Sequence, residues 1–138
     1  MIYLTRRERF SAAHRLYQPS LTQEENIEKY GQCANPNWHG HNYILWVTVK
    51  GKVKEDDGYV ADLKEISDLL KEQIIEKLDH KNINLEVEFM KDMIASTENI
   101  AVGIWNELEL KIKKLGVTLH SVKLQETENN SVEYFGEK

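Results

Sequence analysis

Cysteine is nearly absent from this sequence, and its scarcity limits the kind of protein that the chain can be. One cysteine among 138 residues excludes an intrachain disulfide, and a free thiol suits a reducing cytoplasm. Proline and glycine are also sparse, with two and seven copies, and there is no repeat, low-complexity tract or linker-like stretch. We therefore predict a single compact domain over residues 1–138.

Long hydrophobic runs and an excess of basic residues are also missing. No apolar run approaches the roughly 18 residues that a membrane span needs. Residues 1–7 carry no apolar segment ahead of their charges, so we expect no secretory signal. The net charge of −5 argues against a nucleic-acid surface, which needs clustered lysine and arginine. The expectation is a cytoplasmic protein without a nucleic-acid or membrane partner.

The spacing of apolar residues predicts two strands, two long helices and two further strands. The predicted strands cover residues 2–13, 41–54, 117–126 and 131–135, and the long helices cover 63–78 and about 96–115. A short helix is expected at about 22–30, where Thr22 and Glu25 form a capping box. The order ββααββ predicts an α+β fold, with an antiparallel four-stranded sheet and both helices on one face. Such a sheet leaves open edges, which favours closure by other subunits.

Residues 33–43, CANPNWHGHNY, contain the most informative motif. On a strand, His39 and His41 point the same way, so both imidazoles can reach one metal ion. His14 ends the first predicted strand and can supply a third nitrogen. Three histidines and a water form an open, catalytic zinc site. The alternative is that these are surface histidines without a shared ligand.

Cys33 has three possible roles that the residues alone do not separate. As a fourth ligand it would close the metal site and make it structural. As a base or nucleophile it would need a neighbour that lowers the pKa of its thiol. It can also be an inert thiol, which is the commonest state of a single cysteine.

Acidic side chains supply the remaining candidates. Glu126 shares a strand face with Val122 and Leu124, and a carboxylate on an apolar face needs a partner, such as a ligand edge with two adjacent N–H donors. Glu98 lies in the first turn of the second long helix, where the helix dipole alone can explain it.

Asp79 and His80 follow the first long helix. They can act as a proton-transfer pair or simply end the helix, and the second interpretation is the simpler one for these two residues alone. A papain-like Cys-His-Asp hydrolase is excluded because the chain is too short and Cys33 lacks the local signature of that fold.

Five segments taken together resemble the 6-pyruvoyl-tetrahydropterin synthase family. They are FSAAHRL (10–16), CANPNWHGHNY (33–43), LDHKN (78–82), STENIA (96–101) and QETENN (125–130). The resemblance covers about the whole chain and implies the tunnelling fold, whose ββααββ units form a trimeric barrel. Two such trimers usually stack as a hexamer, with active sites between subunits.

The resemblance also implies a role for each candidate. The implied zinc ligands are His14, His39 and His41. The implied catalytic residues are Cys33, Asp79, His80 and Glu126, and the implied pterin-binding residues are Glu126, Thr97 and Glu98. Trp38 departs from the pattern, because animal members carry a small residue there, and it is expected to narrow the side-chain pocket.

The implied enzyme is a carbon–oxygen lyase acting on phosphates. It would convert 7,8-dihydroneopterin triphosphate to 6-pyruvoyl-tetrahydropterin and release triphosphate. The alternative within the same family is a 6-carboxytetrahydropterin synthase of the queuosine pathway, which releases acetaldehyde as well. A further alternative is a non-catalytic zinc module in which Cys33 is the fourth ligand.

Overall fold

The sheet and helices of the fold follow the expected α+β order, with one additional strand. The computed structural model describes residues 1–137. The strands are β1 (Ile2–His14), β2 (His39–Gly51), β3 (Lys81–Asn82), β4 (Thr118–Thr127) and β5 (Asn130–Tyr134). The α-helices are α1 (Gln23–Tyr30), α2 (Leu63–Leu70), α3 (Glu76–Leu78), α4 (Ile83–Glu86) and α5 (Thr97–Lys114). Short 3-10 helices span Gly31–Ala34 and Glu88–Met90.

The prediction of a four-stranded, wholly antiparallel sheet was wrong in one respect. The sheet has five strands in the order β3-β1-β2-β4-β5, and β3 runs parallel to β1. Two residues are too short for any apolar alternation to reveal a strand. The first long helix also differs from a plain α-helix, because the π-helical segment Lys71–Ile75 joins α2 to α3.

Strand pairing fixes which side chains meet at the ends of β1 and β2. The two strands pair antiparallel over their whole length, from Ile2 opposite Gly51 to His14 opposite His39. Between β2 and β4 the register shifts next to Thr48, and His120 is the extra residue that makes this bulge.

The core lies between one face of the sheet and the two long helical segments. The sheet contributes the buried alternate residues Phe10, Ala12, Tyr43, Leu45, Val47, Val49, Val122 and Leu124. The helices contribute Ile66, Leu70, Ile74, Leu78, Ile100, Ile104, Leu108 and Ile112. These two sets pack together, because each element presents one apolar face or stripe.

Two charged residues interrupt the apolar face of β1 near its start. Arg6 and Glu8 share the parity of Phe10, and Arg6 Nε lies 3.0 Å from Glu8 Oε1. Their mutual pairing explains how the strand keeps its alternation despite the charges. None of the helices in residues 1–137 is long and apolar enough to cross a lipid bilayer.

Candidate active site

Three histidines continue the core face of the sheet at the point where β1 ends and β2 begins. His14 lies opposite His39 across the two strands, and His41 lies opposite Ala12. Their ring centroids are 4.6 to 5.1 Å apart. One ligand nitrogen from each histidine lies within 4.8 Å of the other two, so the predicted three-histidine cluster is present.

Within residues 1–137, the ring nitrogens that face the centre of this cluster have no hydrogen-bond partner. His14 Nδ1 lies 2.6 Å from the carbonyl oxygen of Ala95. A carbonyl only accepts, so this nitrogen carries the proton and leaves Nε2 with a free lone pair. His14 Nε2, His39 Nδ1 and His41 Nε2 are all buried and unpaired among the described residues. Three convergent, unpaired imidazole nitrogens are a donor set that fits a metal ion and leaves one coordination position open.

Burial favours the neutral form of the His14 and His39 imidazoles. The pKa of His14 is lowered from its ordinary value mainly by burial, and the neighbouring histidines lower it further. The hydrogen bond to Ala95 opposes that shift without overcoming it. The pKa of His39 is lowered by burial and then by His41. Metal binding requires the neutral imidazole, so the protein environment favours the binding-competent form.

Glu126 stands beside the histidines at the end of β4. Its Oε2 lies 3.6 Å from His14 Nε2 and 3.9 Å from His41 Nε2. The same oxygen accepts a 2.5 Å hydrogen bond from the hydroxyl of Thr97, the first residue of α5. Thr97 is therefore one hydrogen-bonding partner of the kind that the sequence predicted for this carboxylate, and the other carboxylate oxygen stays available to a ligand.

Cys33 lies outside the cluster of metal-binding atoms. It is free and exposed in the 3-10 helix Gly31–Ala34, and its carbonyl accepts a 2.7 Å hydrogen bond from the Leu16 N–H. Among the described residues, the clustered ligand atoms belong to the three histidines. This arrangement disfavours Cys33 as a fourth ligand, and its exposure disfavours the inert buried thiol.

One cleft of about 320 Å³ collects most of the candidates. Its walls include the predicted residues His14, Cys33, His39, Thr97, Glu98 and Glu126. Exposed Glu98 borders this cleft from the first turn of α5. The cleft therefore combines metal-facing imidazoles, a thiol and a carboxylate within a volume that suits a small molecule.

His80 lines a different cavity of the same chain, and Asp79 is its neighbour along the sequence. A groove of about 430 Å³ runs beside the ends of β1 and β2, and both His80 and His41 border it. Asp79 accepts a 2.9 Å hydrogen bond from the Ser11 N–H, and the His80 N–H donates to the Ser11 carbonyl at 2.6 Å. These bonds tie the pair to β1.

The two side chains form a pre-arranged carboxylate–imidazole pair. His80 Nδ1 lies 3.0 Å from Asp79 Oδ2, and the His80 side chain is 85% exposed. The Ser11 N–H is the main cause of a lowered pKa at Asp79, and His80 adds to it. Asp79 is thus held as a carboxylate that orients an accessible imidazole toward solvent. This geometry goes beyond what helix termination requires.

Several residues of the site were not identified from the sequence. The Ala95 carbonyl fixes the ring of His14, and the Ser11 backbone fixes Asp79, but backbone groups carry no sequence signal. Tyr43 packs edge-on to His14 and His41, and burial raises the pKa of its unpaired hydroxyl. The sequence signal that could have identified Tyr43 is its position on the same strand face as His39 and His41.

Comparison with known proteins agrees with this geometry. The family model described as 6-pyruvoyl tetrahydropterin synthase matches residues 3–137. A 6-pyruvoyl tetrahydrobiopterin synthase of Dictyostelium discoideum is 47% identical over 136 residues, covering 99% of this chain and 97% of that protein. The structure of Caenorhabditis elegans 6-pyruvoyl tetrahydropterin synthase aligns with a TM-score of 0.91 at 34% identity, covering 99% of this chain and 96% of that one.

A second branch of relatives carries a different name. A 6-carboxy-5,6,7,8-tetrahydropterin synthase of Rickettsia bellii is 32% identical over 152 residues, covering 96% of this chain and 99% of that protein. Its sequence identity to this chain is lower than the 47% of the Dictyostelium protein, at similar coverage. On the family model and these relatives, the chain belongs to the 6-pyruvoyl tetrahydropterin synthase family.

Proposed function

We propose that this protein is a zinc-dependent 6-pyruvoyl-tetrahydropterin synthase. It is a lyase that takes 7,8-dihydroneopterin triphosphate, eliminates triphosphate and rearranges the side chain to the pyruvoyl form. The observation that carries the proposal is the joint presence of the three-histidine cluster, Cys33 and Glu126 in one cleft. The 47% identity to a relative of that name favours this branch of the family.

Zinc is the metal that the donor set favours. Three imidazole nitrogens suit zinc, and the histidines that would hold it are His14, His39 and His41. Bound zinc would act as a Lewis acid that acidifies the hydroxyl groups of the substrate side chain. The chain's own contribution is to fix the three rings, which strand register and the Ala95 carbonyl do.

The pterin ring is assigned to the end of the cleft at Glu126. Its carboxylate accepts from Thr97 through one oxygen, so the other is oriented to accept N–H donors from a ligand. The amino group and ring N–H of a pterin are two adjacent donors that match a carboxylate. Glu98 borders the same cleft and is placed as a further contact to the ring.

Cys33 is assigned the role of general base on the side chain. A proton leaves a side-chain carbon in the rearrangement, and an exposed thiol that borders the cleft can accept it once ionised. Asp79 and His80 are assigned as its acid–base partners. Since His80 borders a different cavity of the same chain, we place the pair in the active site of a neighbouring subunit.

This division of the site requires an oligomer, and we propose the hexamer of the family. The open edges of the sheet support assembly, because unpaired strand edges favour pairing with another copy. We also propose that the chain forms a single domain and works in the cytoplasm, where an exposed free Cys33 stays reduced. Its partners would be a small pterin and other copies of itself.

Product identification tests the function directly. The purified protein would be incubated with 7,8-dihydroneopterin triphosphate and zinc, and the products separated and weighed by mass spectrometry. Formation of 6-pyruvoyl-tetrahydropterin with triphosphate supports the proposal. A 6-carboxy product together with acetaldehyde would replace it with the alternative represented by the Rickettsia relative, and no turnover would reject both.

A further inference from the structure

Arg15 is held between two aromatic rings immediately after the ligand His14. The centre of its guanidinium lies 4.2 Å from the ring centroid of Tyr17 and 4.4 Å from that of Trp38. Among the described residues Arg15 forms no ion pair, and its buried Nε has no hydrogen-bond partner. The two rings therefore hold this side chain through cation–π contact, without a carboxylate.

The backbone of Arg15 is fixed as firmly as its side chain. The Arg15 N–H donates to Asn84 Oδ1 at 3.0 Å, and Asn84 Nδ2 donates to the Arg15 carbonyl at 3.0 Å. Asn84 is itself anchored by a 3.0 Å hydrogen bond from its N–H to Asn82 Oδ1. The segment that follows His14 is thus attached to α4 on one side and to the Trp38 ring on the other.

Trp38 adopts a backbone conformation that bulky residues rarely take. Its φ is +67°, in the left-handed region where glycine is favoured and an aromatic side chain is an outlier. The Trp38 N–H donates to the Asn35 carbonyl at 3.0 Å, which holds the turn. Such a conformation persists only where its surroundings determine it, and it is found most often at functional sites.

The position of Trp38 shows what that conformation achieves. Trp38 precedes the ligand His39, Arg15 follows the ligand His14, and those two histidines pair across the strands. The stack of the Trp38 ring on Arg15 therefore links the end of β1, which carries His14, to the start of β2, which carries His39. Trp38 borders a separate cleft of about 610 Å³ with Arg15 and Tyr17, so its ring lies away from the Cys33 cleft.

We propose that Trp38 is a positioning residue for the metal centre. Its ring, stacked on Arg15, holds the ends of β1 and β2 so that His14 and His39 face one ion. The inference rests on metal binding at the three histidines, which is part of the proposed function, and it is independent of the product. It differs from the expectation that Trp38 narrows the substrate pocket.

Cobalt binding to the full-length metal-free protein tests this role without an activity assay. Affinity is measured by titration against a competing chelator, and ligand geometry by the visible d–d absorption of the bound cobalt. We expect W38A to bind cobalt roughly tenfold more weakly, with altered d–d bands, as when groups that orient metal ligands are removed. W38F keeps a ring to stack on Arg15 and is expected to bind close to wild type.

Two further variants separate positioning from general stability. W38G removes the ring but relieves the backbone, since glycine adopts positive φ without steric cost, so its melting temperature should hold or rise while its cobalt affinity falls. W46A is the matched control, because Trp46 stacks under Lys123 at 5.2 Å outside the site, and its affinity should equal that of wild type.

The outcomes that overturn the inference are distinct from those that overturn the metal centre. Wild-type affinity and spectrum in W38G would reject a positioning role for Trp38 while leaving the histidine site intact. An equal loss in W46A and W38A would reject it as well, because the effect would then be general. Failure of the wild-type protein to bind cobalt would reject both the metal centre and this inference.

Discussion

Binding of zinc to the three-histidine cluster is expected to stabilise the protein, because it would give partners to buried nitrogens that otherwise have none. Without an ion, three buried imidazole nitrogens of His14, His39 and His41 have no partner, and each such group costs about 1–3 kcal/mol. An ion present at about a thousand times its dissociation constant adds about 4 kcal/mol of stability by mass action. At about 3 °C per kcal/mol for a domain of this size, zinc should raise the melting temperature by on the order of 10 °C.

Thermal unfolding followed by circular dichroism measures this difference. Chelator-treated protein is compared with the same protein after addition of excess zinc at pH 7.5. H39Q, which lacks one ligand, should lose most of the zinc-dependent increase. C33A should keep it, because Cys33 lies outside the cluster. Equal melting temperatures for the wild-type protein with and without zinc would refute the reasoning.

The metal-free protein should also lose stability as the pH falls, and the sign follows from the histidine pKa values. Burial lowers the pKa of His14 and His39 below the ordinary 6.5. Below pH 6.5 the unfolded chain therefore binds protons that the folded chain excludes, so stability decreases as the pH falls. Above pH 6.5 these histidines are unprotonated in both the folded and the unfolded chain, so their contribution to the pH dependence of stability vanishes.

A series of melting temperatures from pH 8 to pH 5 tests this sign. Asp79, whose pKa is lowered from 3.8, contributes stability that is lost only at more acidic pH, so it does not enter this window. H39Q should show a flatter decline, since one of the two titrating groups is gone. A melting temperature that rises on acidification from pH 6.5 would contradict burial of neutral imidazoles.

The catalytic assignments lead to three further predictions. C33A should retain stoichiometric zinc and lose about 10²–10⁴-fold in turnover, as for a removed general base; loss of zinc in this variant would restore the structural-site interpretation. E126Q should lower kcat/KM by about 10²-fold, because two charge-assisted hydrogen bonds to the pterin each weaken by about 1.5 kcal/mol. T97V should lower kcat/KM by about tenfold or less. Equal kcat/KM in E126Q and wild type would remove Glu126 from the pterin site. The inactive variants C33A and H80A, mixed and allowed to exchange subunits, should recover about one quarter of wild-type activity if each site takes Cys33 and His80 from different subunits. No recovery of activity, or a stable monomer by light scattering, would place both residues of a site in one chain.

Alternation along the strands explains why so much of the site could be predicted. The two-residue period of a strand predicted that His39 and His41 point the same way, and in the structure β2 begins at His39 and carries both on the face of Tyr43, Leu45 and Val47. The same rule predicted that Glu126 shares a strand face with Val122 and Leu124. These placements follow from local sequence alone, and the structure confirms that the three histidines form one cluster.

Contacts between distant segments explain what could not be predicted. The Ala95 carbonyl lies 81 positions from His14 along the chain, and no residue preference marks a carbonyl as a ligand's partner. The Ser11 bonds to Asp79 and His80 likewise depend on β3 pairing parallel to β1, and β3 is too short to recognise. The left-handed conformation of Trp38 contradicts local preference, so only the folded chain reveals it.

The three-histidine cluster lies between two cavities, so that it can be approached from two sides. His14 and His39 border the cleft that contains Cys33, while His41 borders the groove that contains His80. Glu126 borders the first cavity, and the carboxylate–imidazole pair is fixed to the backbone of β1 beside the second. Ser11 donates its N–H to the Asp79 carboxylate and accepts the His80 N–H at its carbonyl, so moving this segment toward Cys33 of its own chain would break both hydrogen bonds to β1. The attachment of this segment to β1 therefore favours a site completed by a second subunit over one completed by a movement of the segment within one chain.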